Sequence, residues 1–162
     1  MIPSEEIKDF NIRSAEPQDV PLILEFIKGL AEYEQLSHEV RATEELLTEY
    51  LFIQKKAEVI IGEFQKEPVC FALYFYNFST FLGKPGIYLE DLFVKPSMRG
   101  RGFGKALLSY LSKMVEDRDY GRLEWACLDW NEPSINFYKK LGAKPMEEWT
   151  IYRIQQEQEL KK

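Results

Sequence analysis

One stretch near the middle of the chain constrains the fold more than any other. An apolar run from Leu89 to Val94 is stopped by Pro96, and a glycine-rich turn at residues 99–104 then opens an amphipathic helix. Glycines at every second position let backbone N–H groups approach a ligand without a Cβ atom in the way, and the positive end of a helix dipole favours an anion. This order of strand, turn and helix predicts a pyrophosphate site.

Other glycine-rich motifs fit this turn less well. It lacks the G-x-G-x-x-G spacing of a dinucleotide site and the G-K-[ST] ending of a P-loop, and its spacing is R-x-x-G-x-G. A strand-to-helix turn that only needs positive φ angles at glycine can have the same sequence pattern without binding a ligand. The cations Arg99, Arg101 and Lys105 favour the phosphate interpretation.

The composition favours one compact domain without a nucleic-acid surface. The 162 residues are 45% hydrophobic and 30% charged, which is ample material for a buried core. Lysine and arginine total 21 against 27 aspartates and glutamates, and the net charge of -6 does not favour binding to nucleic acid. We expect a single domain over residues 1–162, with its core at residues 10–154 and a charged tail at residues 155–162.

A few residue types and the first 20 residues bear on the cellular compartment and on binding to metal ions or membranes. Cys70 and Cys127 lie in apolar runs, which is typical of buried thiols in a reducing compartment. His38 lies in a polar stretch, and without a cluster of Cys or His residues no metal site is expected. The first 20 residues have no cationic start followed by an apolar run, and no window is apolar enough for a membrane helix. We therefore expect a cytoplasmic protein that binds no metal ion and no membrane.

Hydrophobic periodicity predicts both strands and helices along the chain. The predicted strands are residues 9–13, 57–63, 69–78, 87–94, 123–128 and 149–154. The predicted helices begin near Pro17, Thr43, Gly102 and Asn131, and the first, third and fourth end near Tyr33, Asp117 and Gly142. The crossover from strand 87–94 through a helix to strand 123–128 is expected to be right-handed and to make a parallel pair. The pattern predicts an α/β chain.

Three blocks of sequence, at residues 88–94, 99–104 and 130–139, together resemble one family. Residues 99–104 look like the acetyl-coenzyme A pyrophosphate loop of the GNAT superfamily of N-acetyltransferases. Residues 88–94 and 130–139 are similar to its spermidine/spermine N1-acetyltransferase branch, which includes the thialysine Nε-acetyltransferases, and residues 31–34 also match. The resemblance implies the GNAT fold, in which about six to seven strands form a mixed, mostly antiparallel sheet with about four helices and a parallel strand pair around the acetyl-coenzyme A site.

The resemblance also implies a mechanism. Acetyl would pass directly from the thioester to a primary amine in a ternary complex, with Glu90 as the proton acceptor and Tyr138 as the proton donor to the leaving thiolate. From the residues alone, Glu90 and Asp91 could both be solvated acids at a strand end. Tyr138 could equally pack in the core with Ile135 and Leu141.

Cofactor and substrate contacts follow from the same resemblance. The implied cofactor-binding residues are Leu92, Phe93, Val94, Arg99, Gly100, Arg101, Gly102, Phe103, Gly104, Lys105, Asn131, Ser134 and Tyr138. The implied substrate-binding residues are Tyr33, Glu34, Glu90, Asp91, Glu124, Trp125 and Glu148. Acids and aromatic rings suit an ammonium chain.

Residues 77–83 bear on the choice of amine. This loop has no acid, whereas polyamine-preferring members of the family carry an aspartate there, followed by proline and tryptophan. Our hypothesis is therefore that the substrate is a thialysine-like or lysine-like amino acid or a short diamine. A GNAT enzyme for a protein N-terminus or an antibiotic, and a non-catalytic acetyl-coenzyme A binding module, are the alternatives. Since family members form homodimers, we expect a dimer.

Overall fold

A mixed β-sheet forms the centre of the computed structural model, which describes residues 2–3 and 6–155. In the described residues the sheet has five strands in the order β1-β2-β3-β4-β5. The first four are antiparallel neighbours, and β4 and β5 are parallel. The strands are Phe10–Ser14, Glu58–Phe64, Glu67–Ser79, Lys84–Val94 and Leu123–Trp125. The predicted mixed, mostly antiparallel sheet with one parallel pair is confirmed.

The chain forms two compact units, Met1–Leu128 and Asp129–Lys162. The sheet and the first three α-helices belong to the first unit. The expected single domain over residues 1–162 stays a prediction. Of the expected charged tail, only residue 155 is among the described residues, and residues 156–162 lie outside them.

The predicted helices form near their expected bounds. They are α1 at Val20–Tyr33, preceded by a 3₁₀ turn at Pro17–Asp19, α2 at Glu44–Leu47, α3 at Phe103–Asp117 and α4 at Glu132–Lys140. Thr43 caps α2 as expected, because its side chain accepts a hydrogen bond from the Leu46 N–H group at 3.2 Å. The chain after α2 continues as a π-helical segment, Thr48–Ile53. No helix in the described parts of the chain is long and apolar enough to cross a membrane.

One part of the core of the first unit lies where α1 packs on the sheet, and buried residues of α3 such as Leu107 and Leu111 form another part. The apolar stripe of α1 buries Ile23 and Phe26, and the Phe26 ring stacks on Phe71 of β3 with 5.1 Å between ring centres. Four consecutive residues of β3, Val69 to Ala72, are buried. Since neighbouring side chains of a strand point to opposite faces, both faces of β3 are covered, as its apolar sequence predicts.

The predicted strand at residues 149–154 is wrong. Residues 149–155 form no strand, and the apolar side chains that suggested one are exposed, with Trp149 at 71% and Tyr152 at 92%. Alternation describes a chain that could pair, but a strand also needs the backbone of a neighbour at the right distance. The predicted strand 123–128 is likewise shorter, since β5 ends at Trp125. The described residues therefore contain five strands instead of six or seven.

Candidate active site

The glycine turn lies between the end of β4 and the start of α3. Gly100 and Gly102 have φ angles of 76° and 86°, which other residues rarely adopt. A Cβ atom at Gly100 would have no other atom within 4 Å, so this part of the backbone borders open space. Because Gly102 is the N-cap of α3 and has no side chain, no N-cap side chain occupies the N–H groups of the first helical turn. These N–H groups and the helix dipole suit an anion.

Three basic side chains surround the turn and lie in different places. The guanidinium of Arg99 is 4.6 Å from the centre of the Tyr33 ring, and its Nε donates a hydrogen bond to the Val94 carbonyl oxygen at 3.0 Å. Arg101 is exposed, and Lys105 is half-buried on the first turn of α3. Together with the backbone N–H groups, these cations fit a pyrophosphate.

The last part of β4 has a backbone edge that no described strand covers. β4 pairs with β3 as far as its last residue, whereas its parallel pairing with β5 ends where Leu89 lies opposite Trp125. Residues 91–94 therefore have a strand partner on one side only among the described residues. An extended ligand can add backbone hydrogen bonds to such an edge. The predicted cofactor contacts at residues 92–94 lie here.

A β-bulge interrupts β4 at Glu90. Asp91 pairs with Leu73 and Leu89 pairs with Tyr74, so Glu90 is an extra residue that no residue of β3 opposes. A bulge changes the direction of neighbouring side chains and is common beside active sites. Glu90 is exposed here, whereas Asp91 is half-buried. The two adjacent acids therefore have different environments.

Three carboxylates from two elements are close enough to influence one another, and we call Glu34, Glu90 and Asp91 the Glu90 cluster. Burial, followed by the negative charges of Glu90 and Glu34, raises the pKa of Asp91 to about 6. Burial also raises the pKa of Glu34, which follows the last residue of α1. Among the residues that the structure describes, no lysine or arginine forms an ion pair with any of the three. The cluster can therefore be neutralised by a cationic ligand.

The predicted amine contacts on β5 have a different electrostatic environment from the Glu90 cluster. Glu124 Oε1 lies 2.8 Å from Nε of Arg122 and accepts a hydrogen bond from Nδ2 of Asn77 at 3.1 Å. Trp125 is half-buried opposite Leu89. Glu124 thus already has a cation beside it, unlike the acids of the Glu90 cluster.

The remaining predicted site residues lie in the second unit. The Asn131 side chain accepts a hydrogen bond from the Ser134 N–H group at 3.4 Å, which confirms it as the predicted cap of α4. The ring of Tyr138 lies 5.4 Å from the ring of Phe137, centre to centre. Glu148 is exposed in a turn. The binding and catalytic roles assigned to this group stay predictions.

Comparison with known proteins identifies the family. A model of the Acetyltransferase (GNAT) family matches residues 25–143. A thialysine Nε-acetyltransferase from Bos taurus is 35% identical, over 90% of this chain and 92% of its own length. An L-ornithine N5-acetyltransferase from Arabidopsis thaliana is 31% identical, over 88% of this chain and 83% of its own. The chain belongs to the GNAT family of acetyltransferases.

A solved structure has a similar fold. An integron cassette protein from V. cholerae has a TM-score of 0.75 at 26% identity, covering 91% of this chain and 93% of its own. The predicted GNAT fold is confirmed, and the protein is an acyltransferase of the N-acetyltransferase type. GNAT enzymes use acetyl-coenzyme A as cosubstrate.

The residues around the glycine turn of this GNAT chain fit acetyl-coenzyme A. The pyrophosphate of this cosubstrate suits the N–H groups and cations of residues 99–105. The amide groups of its pantetheine arm suit hydrogen bonding to the uncovered edge of β4 at residues 92–94. Across the ranges that the structure describes, no group of three His, Cys, Asp or Glu residues is arranged to hold a metal ion.

Sequence reasoning missed two features of the site. The bulge at Glu90 depends on how β4 pairs with β3, and no local residue such as glycine marks it. The stacking of Arg99 on Tyr33 joins residues that are far apart in the sequence. The available signal was the pair of adjacent acids, Glu90 and Asp91, inside an otherwise apolar strand.

Proposed function

We propose that this GNAT enzyme transfers acetyl from acetyl-coenzyme A directly to the primary amine of a small cationic substrate, in a ternary complex. The observation that carries the proposal is the Glu90 cluster, which has no cation of its own and includes two residues of the uncovered edge of β4. Acids in such a place attract an ammonium group. The named activities of the thialysine and ornithine relatives support an amino acid with a side-chain amine.

The residues of the Glu90 cluster are proposed to prepare the amine. An ammonium group must lose a proton before its nitrogen can attack a carbonyl carbon, and a nearby carboxylate can accept that proton directly or through a water molecule. Glu90 is the proposed acceptor, because it is exposed at the bulge. Glu34 and Asp91 are proposed to hold the cation. Acetyl-coenzyme A, when bound, supplies the acetyl group as an activated thioester.

Other residues are proposed to hold the cosubstrate and the amine. Residues 99–105 would bind the pyrophosphate, and residues 92–94 would bind the pantetheine arm through the backbone. From the second unit, Asn131 and Ser134 are proposed cofactor contacts, and Tyr138 is proposed to hold a proton at its hydroxyl for the leaving sulfur. The further proposed substrate contacts are Tyr33, Glu124, Trp125 and Glu148.

A substrate with one side-chain amine suits the charges of this chain better than a long polyamine. The hairpin tip at residues 77–83 has no acid, and Glu124, which Asn77 contacts, already has Arg122 as its cation. A distant second or third ammonium group therefore has no free acid to meet among these residues. We propose thialysine-like, lysine-like or ornithine-like amino acids and short diamines as the substrate class.

The test is the release of free thiol from acetyl-coenzyme A when amines are added. Values of kcat/KM are measured for thialysine, lysine, ornithine, putrescine, spermidine and spermine. We expect the amino acids and putrescine to exceed spermine, and a preference for spermine contradicts the proposed class. If thiol is released only with a peptide N-terminus or an aminoglycoside, the proposed substrate class is contradicted. If none of the acceptors causes thiol release, the proposed catalysis is contradicted.

We also propose a homodimer in a cytoplasmic, reducing compartment. The dimer rests on the family resemblance, and a sedimentation mass near the 19.1 kDa of one chain contradicts it. The compartment rests on Cys70 and Cys127, which do not form a disulfide bond with each other. Cys70 is buried as predicted, whereas Cys127 is only half-buried. Burial raises the pKa of Cys70 to about 12, so this thiol is unsuited to act as a nucleophile. Fluorescence microscopy of a tagged protein tests the location.

A further inference from the structure

Arg99 connects the glycine turn with the end of α1. Its guanidinium lies 4.6 Å from the centre of the Tyr33 ring and 5.6 Å from the centre of the Phe93 ring. Its Nε donates a hydrogen bond to the carbonyl oxygen of Val94 at 3.0 Å. The side chain is therefore held by residues of α1 and of β4, while its backbone belongs to the turn.

A guanidinium beside a pyrophosphate site can bind phosphate through its N–H groups. The face of a guanidinium and its N–H edges bind different partners, so one arginine can stack on a ring and bind a phosphate at the same time. Arg101 differs, because its guanidinium lies 5.9 Å from the centre of the Phe64 ring. Of these two arginines, Arg99 is the one that contacts a proposed amine-binding residue.

We propose that Arg99 is a positioning residue that links coenzyme binding at the glycine turn to amine binding at Tyr33. The proposal rests on the proposed function, since it takes the turn as the pyrophosphate site and Tyr33 as an amine contact. Glu34 of the Glu90 cluster directly follows Tyr33 in the chain, so a change in the position of Tyr33 also moves one of the acids. Loss of the Arg99 guanidinium then weakens amine binding as well as coenzyme binding, and loss of the Tyr33 ring weakens coenzyme binding.

The first test is a double-mutant cycle in which calorimetry measures the Kd for coenzyme A. We expect Tyr33→Leu, which removes the ring, to weaken binding about three- to tenfold, and Tyr33→Phe, which keeps it, to change binding less than about twofold. In the Arg99→Ala background, Tyr33→Leu has no further effect. An unchanged Kd for Tyr33→Leu overturns the proposal, and so do effects that add in the double variant.

Steady-state kinetics with the preferred amine provide the second test. We expect Arg99→Ala to raise the amine KM about tenfold, with partial rescue by Arg99→Lys, which keeps the charge without the planar stacking surface. Arg101→Ala changes the KM for acetyl-coenzyme A and leaves the amine KM unchanged. Arg118→Ala is the matched control, because Arg118 stacks on Tyr76 at 5.7 Å, and neither KM changes. An amine KM in Arg99→Ala equal to that of the wild type overturns the link.

Thermal unfolding without ligand separates this inference from the proposed function. Arg99 is exposed, so its substitution is not expected to prevent folding. Non-additive unfolding free energies for Arg99→Ala and Tyr33→Leu support the contact independently of any ligand. A wild-type protein that binds no coenzyme A contradicts the proposed function, whereas the unfolding cycle reports on the Arg99–Tyr33 contact alone. Additive unfolding free energies overturn the link in either case.

Discussion

Two groups of charged residues in the first unit have acids in opposite environments. In the first group, which we call the Arg13 cluster, Arg13 donates two hydrogen bonds to Asp19 at 2.7 and 2.9 Å and one to Glu63 at 2.7 Å. The hydrogen bond from Arg13 lowers the pKa of Asp19. In the Glu90 cluster no described cation pairs with the acids, and the pKa of Asp91 is raised to about 6.

The difference separates a structural group from a binding group. The Arg13 cluster contains its own cation, ties β1 to β2 and to the turn before α1, and so stabilises the fold. The Glu90 cluster lacks a cation and lowers the stability of the folded state at neutral pH. Such a cost is typical of a site whose missing charge comes from the substrate.

The largest expected effect is on turnover at the Glu90 cluster. Since Glu90 is the proposed proton acceptor, Glu90→Gln should reduce kcat/KM about a hundredfold or more, with folding retained because the side chain is exposed. Glu116→Gln, an exposed acid on α3, removes the same charge elsewhere and is expected to have no effect. Turnover of Glu90→Gln close to that of the wild type would remove Glu90 from the mechanism and weaken the contrast between the clusters.

The next effect is on stability at the Arg13 cluster. Arg13→Met keeps much of the aliphatic stem but leaves the buried Asp19 without its cation, so the free energy of unfolding should fall by about 2 kcal/mol. Lys113→Met breaks the exposed pair of Lys113 with Asp117 and should lower the free energy of unfolding much less, because solvent screens this pair. Urea unfolding measures both variants. Equal losses would show that the Arg13 cluster is no more than a surface ion pair.

The two clusters should also respond to pH with opposite signs. The folded protein holds the Asp91 proton more tightly than the unfolded chain does, so this group's contribution to stability is lost as pH rises from about 4 through about 6. Asp91→Asn should therefore raise the unfolding free energy by about 1 kcal/mol at pH near 8 and by less at pH near 4. Asp19, whose pKa is lowered, stabilises at neutral pH, and Asp19→Asn should destabilise there. Destabilisation by both variants at pH near 8 would contradict the contrast.

The smallest effect is on the pKa of Asp91 itself. Glu34 is one of the two charges that raise this pKa, so Glu34→Gln should lower it from about 6 toward its ordinary value. Glu32→Gln removes an exposed charge from the same helix and should leave the pKa unchanged. Carbon-13 NMR of the Asp91 carboxyl group follows both titrations. A pKa that is insensitive to Glu34→Gln would show that Glu34 is not part of the cluster.

The sequence predicted those parts of the fold and site that depend on nearby residues. The apolar stripe of α1, the cap of α4 at Asn131 and the glycine turn all lie where they were expected. The strand at residues 149–154 failed, because a pattern of alternation carries no information about a pairing partner. Tyr138 lies on α4 as predicted, but its catalytic role stays a prediction.

By itself, the sequence determined the order of strand, glycine turn and helix, because the absence of a Cβ atom permits the positive φ angles at Gly100 and Gly102. It also placed Glu90 and Asp91 next to that turn. Only the tertiary structure decided which of these acids is exposed, which acids have a cation, and where the guanidinium of Arg99 lies. These properties depend on strand register and on contacts between distant residues, and no local pattern encodes either.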